Sequence, residues 1–326
     1  MTIRTSCVAL ALPVLLVAAA AAAWLPAANA QPQRETVRAR RAQSQAPAAP
    51  GAETSVPGLE GAEGSPGKFA LPAGARVERD LSYGSDPAQK LDVYLPRDRK
   101  QAPILVMVHG GAWTMGDKGN TGVVANKVLH WLPRGYIVIS LNYRLSRPPS
   151  PLEQAEDVGR ALAFVQARAA DWGGDASRVV LMGHSSGAHL VALLTVAPDI
   201  VGRTGAGAWL GSVSLDSAAL DVVELMKGRH PRLYDRVFGA EPARWAEVSP
   251  FHRLAVRPVP MLLVCSSRRG DSCPAARRFA AHAVSLGGRA TVLPLDLNHG
   301  EINSELGRSP GYTASIDDFL RSLGLP

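Results

Sequence analysis

The pattern Gly183-His184-Ser185-Ser186-Gly187 places one serine between glycines two positions before and two positions after it. A short apolar run, Val179 to Met182, precedes it, and Ala188 to Val196 follows as a predicted helix. A serine at such a strand–turn–helix junction is held in a strained turn, where flanking residues without a Cβ avoid backbone collision. Its hydroxyl is displayed at the end of a strand, and the next backbone N–H, that of Ser186, opens a helix, where a developing oxyanion is stabilised. A hydroxyl is a poor nucleophile without a base. His299, after the strand-like run Ala290 to Leu297, is the candidate base. Asp271, after the strand-like run Pro260 to Cys265, is the candidate acid that would orient the imidazole. The chemistry implied is acyl transfer by Ser185, His299 and Asp271.

Rival residues are weighed by position. Ser186 lacks the flanking glycines. Asp296 lies within the last strand, poorly placed to reach a ring three residues on. Asp216 ends an earlier strand and is the rival acid, with the usual order of such triads favouring Asp271. His184 and His189 border the turn and are expected as packed, hydrogen-bonded neighbours, while His130, His230, His252 and His282 sit in helical or covering segments without evident partners. The histidines are scattered and the cysteines lack zinc-type spacing, so no metal is expected. Dinucleotide and phosphate-loop patterns are absent from the sequence, and no cofactor is expected.

Upstream, the strand-like run Pro103 to Val108 leads into His109-Gly110-Gly111-Ala112-Trp113. Glycines after an early strand let the backbone approach a substrate oxygen, so Gly111 and Ala112 join Ser186 as expected oxyanion donors, with His109 bracing their loop. The HGGAW loop, the GHSSGAHL turn and the NHGEIN segment carrying His299 resemble the α/β-hydrolases of the carboxylesterase/arylformamidase group. By motif the chain is most similar to bifunctional feruloyl and acetyl-xylan esterase-like domains. Tyr83-Gly84-Ser85-Asp86, Lys90 to Pro96 and Asn142-Tyr143-Arg144-Leu145 fit the same group. The resemblance covers residues 76–326 and adds Gly110 as a reserve oxyanion donor. One stretch departs from the group's pattern: Cys265 to Gly270 stands where a His-Gly pair often precedes the acid.

The elements that must position these residues alternate as an α/β fold demands. Helices are predicted over Thr121 to Leu132, Leu152 to Ala169 and Pro274 to Leu286. Strands are predicted over Tyr136 to Leu141 and Leu210 to Leu215, apolar on both faces as parallel strands covered by helices are. Pro294 cannot donate to a ladder, which suits an edge strand. Ile316, Phe319, Leu320 and Leu323 mark an amphipathic terminal helix. The expectation is an α/β-hydrolase fold with a mostly parallel central sheet, helices on both faces and a small helical lid. The lid is expected over 216–259, broken by Pro231, Pro242, Pro250 and Pro258. Leu225, Met226, Tyr234, Phe238 and Trp245 are its candidate pocket or core residues.

Residues 1–30 have the physics of a secretory signal: Arg4, an apolar core from Val8 to Trp24, and the small-residue site Ala28-Asn29-Ala30. Cleavage after Ala30 and export to the periplasm or beyond are expected. Pro13 and the short apolar run disfavour a stable membrane anchor. Residues 31–75, rich in Pro, Ala, Gly, Gln and Ser, are expected as a disordered linker before a hydrolase domain over 76–326. The formal net charge of +7 is dispersed, without an aromatic-studded basic stripe, so nucleic acid is not an expected partner. Cys265 and Cys273 flank Asp271; parity and an oxidising destination favour a disulfide over two separate thiols.

The expected function is serine-dependent hydrolysis of a small-molecule carboxylic ester through an acyl-enzyme. An arylformamidase cleaving the amide of N-formylkynurenine is the alternative within the same resemblance. A non-catalytic binding protein on a hydrolase fold is the alternative outside catalysis. The sequence leaves oligomeric state open.

Overall fold

The computed structural model describes residues 65–98, 100–145 and 150–326. The expected signal segment and the expected linker as far as residue 64 lie outside the described residues.

Eight strands form one sheet in the order β1-β2-β4-β3-β5-β6-β7-β8. They are β1 (Arg76–Ser82), β2 (Lys90–Leu95), β3 (Ala102–Val108), β4 (Ile137–Leu141), β5 (Gly174–His184), β6 (Gly211–Leu215), β7 (Met261–Ser266) and β8 (Ala290–Leu295). β1 and β2 are antiparallel to their neighbours, and every pairing from β4 through β8 is parallel. β3, β4 and β7 are buried at every position. This is why they read as continuous apolar runs rather than as alternation.

Period-two geometry divides those side chains between two layers. Ile104, Val106, Ile137 and Ile139 pack with α2 (Pro151–Arg168) and α3 (Ser186–Val196), whereas Leu105, Met107, Val138 and Met182 pack on the other face with α1 (Thr121–Trp131). α2 starts where Ser150 accepts from the Glu153 N–H and Pro151 fills the first turn. Its stripe Ala155, Val158, Leu162 and Val165 is fully buried. Each such Val or Leu contributes about 1.5–3 kcal/mol of transfer free energy.

The remaining helices follow in chain order: α4 (Pro198–Thr204), then the excursion after β6 with α5 (Val222–Lys227), α6 (Arg232–Phe238), α7 (Pro242–Glu247) and α8 (Pro250–Arg253). α9 (Ser272–Ser285) follows β7, and α10 (His299–Ser304) and α11 (Pro310–Ser322) close the chain. Three of the excursion's prolines end one helix or open the next: Pro242 and Pro250 occupy first turns and Pro231 caps α6. β8 pairs with β7 alone among the described strands, so Pro294 does sit on an edge strand.

The packed domain begins earlier than Arg76. The Thr121 N–H donates to Ser65 O, Gly67 N–H donates to Gly119 O, and the Phe69 ring stacks 5.9 Å from that of Tyr94. Phe69 and Leu71 are the large apolar side chains in a stretch otherwise poor in them. Burying them against the sheet ties residues 65–75 down.

Candidate active site

β5 ends at His184, and Ser185 turns the chain into α3 with φ 55° and ψ −117°. A non-glycine residue held there costs on the order of 1–3 kcal/mol, which the surrounding packing must over-determine. The flanking glycines have a steric cause. A Cβ on Gly183 would meet Gly187 O at 2.3 Å, and one on Gly187 would meet Val108 O at 2.3 Å. The elbow is thereby pressed against the end of β3, from which the HGGAW loop departs.

Asp216 likewise sits at positive φ, directly after the next strand. Its φ is 57°, and the sheet register pairs His184 with Leu215, which brings Ser185 and Asp216 to one rim, each just past its strand. His299 opens α10, capped by Asn298, whose Oδ1 accepts from the Glu301 N–H while Glu301 Oε2 accepts from the Asn298 N–H. From α1, Asn126 donates to Ser304 O and the buried Lys127 ammonium donates to the Asn303 carbonyl and side-chain oxygens, so α1 grips the C-terminal end of the short helix while the capping box holds its start.

His299 Nε2 lies 3.0 Å from Ser185 Oγ, and Nδ1 lies 2.6 Å from Asp216 Oδ2. A carboxylate only accepts, so Nδ1 carries the proton and Nε2 presents its lone pair to the serine hydroxyl. Asp216 is wholly buried. Its Oδ1 accepts from the Ser266 N–H at 2.7 Å and from the Ser272 hydroxyl, while its Oδ2 also accepts from Arg269 at 2.8 Å. Burial alone would push this carboxyl up; the His299 hydrogen bond, the Arg269 charge and the Ser272 hydroxyl outweigh it and hold the group well below the usual carboxylate range.

Asp271 is not brought to His299. It stands at the N-cap position of α9 without a capping side-chain hydrogen bond, its side chain is 53% exposed, and its Oδ2 accepts from Arg269 NH2 at 3.1 Å. Asp216, arriving from β6, already occupies the imidazole edge that Asp271 was expected to fill, and the Arg269 guanidinium stands between the two carboxylates. Asp296 is exposed and paired with Arg268.

Burial pushes the His299 imidazole below its usual value, helped by the charge of His184, while the hydrogen bond to Asp216 acts the other way. The His184 ring packs 4.5 Å from that of His299, and its Nε2 donates to the His299 carbonyl at 2.9 Å. The residue before the nucleophile thus holds the backbone of the base.

The HGGAW loop runs through positive φ at Gly111 (112°), Ala112 (48°) and Trp113 (63°). A Cβ on Gly111 would meet Met115 O at 2.1 Å, and its own carbonyl accepts from Thr114 and Met115 N–H. Ala112 and Ser186 line a narrow cleft together with Ser185 and His299; Gly111 is not part of that lining and shapes the turn behind it. Trp113 Nε1 donates to His189 Nδ1 at 3.1 Å, and His189 Nε2 donates to Val248 O, so burial holds His189 neutral with a pKa lowered to about 4. The His109 ring stacks on Tyr143, whose hydroxyl donates to His109 O at 3.2 Å, bracing the loop as expected.

From the excursion, Tyr234 reaches the cleft and packs edge-on to Trp113, as does Phe238. Phe238 and Met226 belong to the core, and Leu225 and Trp245 pack against it. His130, His230 and His252 find carboxylate partners in Asp317, Asp235 and Asp221. Cys265 and Cys273 form a disulfide, with Sγ–Sγ 2.05 Å. It closes the segment that supplies Ser266, Arg269 and Ser272 to Asp216. Among the described residues no cluster of His, Cys, Asp or Glu is arranged to hold a metal ion.

The BD-FAE family profile matches residues 91–202, from β2 through α3 and into α4. The chain is similar to a probable isoprenylcysteine alpha-carbonyl methylesterase, ICMEL1, of Oryza sativa subsp. japonica, with 35% identity over 138 residues, covering 41% of this chain and 32% of that protein. It is also similar to esterase LipC of Mycobacterium tuberculosis, with 28% identity over 211 residues, covering 58% of this chain and 50% of LipC. The chain therefore spans a third to a half of the length of these relatives. The solved esterase B from Lactobacillus Rhamnosis (HN001) superposes with a TM-score of 0.64 at 18% identity, covering 79% of this chain and 87% of the other, which establishes the shared fold. Strand order and the solved neighbour show an α/β-hydrolase fold, and over the matched segment the chain is similar to the BD-FAE family and to carboxylic ester hydrolases.

Proposed function

We propose that the chain is an exported serine esterase that hydrolyses small-molecule carboxylic esters through an acyl-enzyme. The observation carrying this reading is the unbroken line of contacts from Ser185 Oγ through the His299 ring to Asp216, at 3.0 and 2.6 Å. In it, His299 takes the Ser185 proton as Oγ attacks the ester carbonyl, and Asp216 stabilises the imidazolium without itself becoming protonated. His299 returns the proton to the leaving alcohol, and the acyl group stays on Oγ. Water then attacks the acyl carbon as His299 takes its proton, and collapse of the second tetrahedral intermediate breaks the acyl–Oγ bond, with His299 returning the proton to Ser185 Oγ as the acid leaves.

Ala112 and Ser186 offer backbone N–H groups to the tetrahedral oxygen. Ser186 begins α3, and a helix's first N–H groups have no intrahelical acceptor. Losing one such donor costs about 3–4 kcal/mol in other hydrolases. Export rests on the sequence physics of residues 1–30, and its test is the N-terminal residue of the mature protein, expected to be Gln31.

The catalytic test is Ser185→Ala measured on p-nitrophenyl acetate with far-UV circular dichroism alongside. The expected result is loss of turnover and of fluorophosphonate labelling with an unchanged spectrum. Equal turnover in wild type and variant overturns the proposal.

A further inference from the structure

We propose that Arg269 is a positioning residue for this site: its guanidinium fixes the shared oxygen of Asp216 and sets the electrostatic field in which His299 works. The inference rests on the serine-esterase reading above and goes beyond it.

The geometry is specific to one nitrogen. Arg269 NH1 donates to Asp216 Oδ2 at 2.8 Å, the same oxygen that takes the His299 proton, and lies 3.0 Å from His299 Nδ1. Because Nδ1 already carries its hydrogen toward Asp216, the approach of NH1 is a charge contact and not a second hydrogen bond. NH2 turns the other way, to the exposed Asp271 at 3.1 Å. The arginine lines the cleft beside Ser185, so it stands at the reacting atoms' edge and is not merely a surface pair.

Two consequences follow for the base. The positive charge beside Nδ1 opposes a second positive charge on the ring, and the cation draws off part of the Asp216 charge that would favour imidazolium. Both keep His299 unprotonated, and hence competent as a base, at lower pH. Other groups facing the site are His184 from β5, Asp216 from the end of β6 and Tyr234 from α6, while Asp271 from the start of α9 reaches it only through Arg269 and Tyr312 from α11 feels the Asp216 charge. On α10 itself, Glu301 is paired outward with Arg268. Among these, Arg269 and Asp271 form a linked pair of opposite sign, which gives the proposal a signature that packing alone does not have.

The experiment is the pH profile of kcat/KM on p-nitrophenyl acetate for wild type, Arg269→Met, Arg269→Lys and Asp271→Asn. Removing the guanidinium should move the midpoint of the acid limb to higher pH by about half a unit or more, with kcat reduced and KM little changed. Arg269→Lys should restore part of the shift. Asp271→Asn leaves the arginine charge less balanced and should move the midpoint the opposite way. If Arg269→Met does not fold, Arg269→Gln and Asp271→Asn carry the same test, because each removes a charge while keeping a polar side chain in the site. Profiles that superimpose on wild type, or shifts of one sign for both residues, overturn the role of Arg269. A wild-type enzyme whose turnover survives Ser185→Ala overturns instead the esterase reading beneath it.

Discussion

Asp216 Oδ2 and His299 Nδ1 are 2.6 Å apart, although one residue follows a strand, the other opens a helix, and 83 positions separate them. The carboxylate reaches the ring because β6 lies beside β5 in the sheet, so the residue after Leu215 emerges next to the residue after His184.

That placement separates two carboxylates by experiment. Asp216→Asn should cut kcat on the order of 10³–10⁴-fold, because the imidazole loses both its tautomer lock and its counter-charge. Asp271→Asn should keep kcat within several-fold of wild type, since Asp271 touches only the outer side of Arg269. Steady-state kinetics of the two purified variants decide the matter, and the reverse ranking would restore Asp271 as the acid.

His184 links the nucleophile's strand to the base's backbone through one hydrogen bond to the His299 carbonyl. His184→Leu should lower kcat roughly tenfold or more while leaving KM close to wild type, a cost of about 1.4 kcal/mol per tenfold. His184→Gln, whose amide is a donor, should recover part of the loss. Equal rates for the leucine and wild-type proteins would show that the carbonyl bond is dispensable.

Activity and stability should both decline toward acid, for separable reasons. His299 acts as a base only when neutral and is held below its usual value, so kcat/KM should rise with pH through a midpoint below about 6.5. In the unfolded chain His189 takes up its proton near 6.5, whereas the buried ring resists until about 4. Between those values the unfolded state binds more protons, so stability falls as pH drops, by up to about 3 kcal/mol from this group. Asp216, depressed in the folded state, adds a further loss below the ordinary carboxylate range as pH falls. Urea denaturation at pH 7 and pH 4.5, for wild type and His189→Asn, measures the histidine share; an identical pH dependence in both would contradict it.

The Cys265–Cys273 bridge closes a segment of separation 8 that grips Asp216 through Ser266, Arg269 and Ser272. Replacing both cysteines by serine should lower the stability by roughly 2.5 kcal/mol, or on the order of 5–10 °C in Tm. It should also lower kcat, because the acid's donors are then less firmly held. Calorimetry and kinetics on the double variant test both parts; a drop in Tm with kcat unchanged would limit the bridge to a structural role.

Much of this arrangement is legible in the chain. The glycines around Ser185 report a steric need that the structure bears out atom by atom, and the continuous apolar runs of β3, β4 and β7 announce buried parallel strands. The acid is where sequence order misleads. Asp216 and Asp271 both follow apolar strands and both precede His299, so order alone does not separate them. The signal that does is lateral: β6, which Asp216 directly follows, is the strand paired with the elbow's own strand, and pairing is a property of the sheet rather than of the chain. Arg269 was hidden for the same reason, since its partners come from β6 and α10. His299 at a helix start, not in a loop, could have been found from Asn298 and Glu301, which form a capping box three residues apart.

The strap formed by residues 65–75 has a practical corollary for anyone trimming the polypeptide. A version starting at Arg76 would strip the aromatic cover from Tyr94 and remove the carbonyl that receives the Thr121 amide at the head of the first helix. That helix is the one whose Asn126 and Lys127 hold the turn bearing the base. Shortening the leader side of this protein by ten residues too many would therefore be felt, through one helix, at the far end of the sequence.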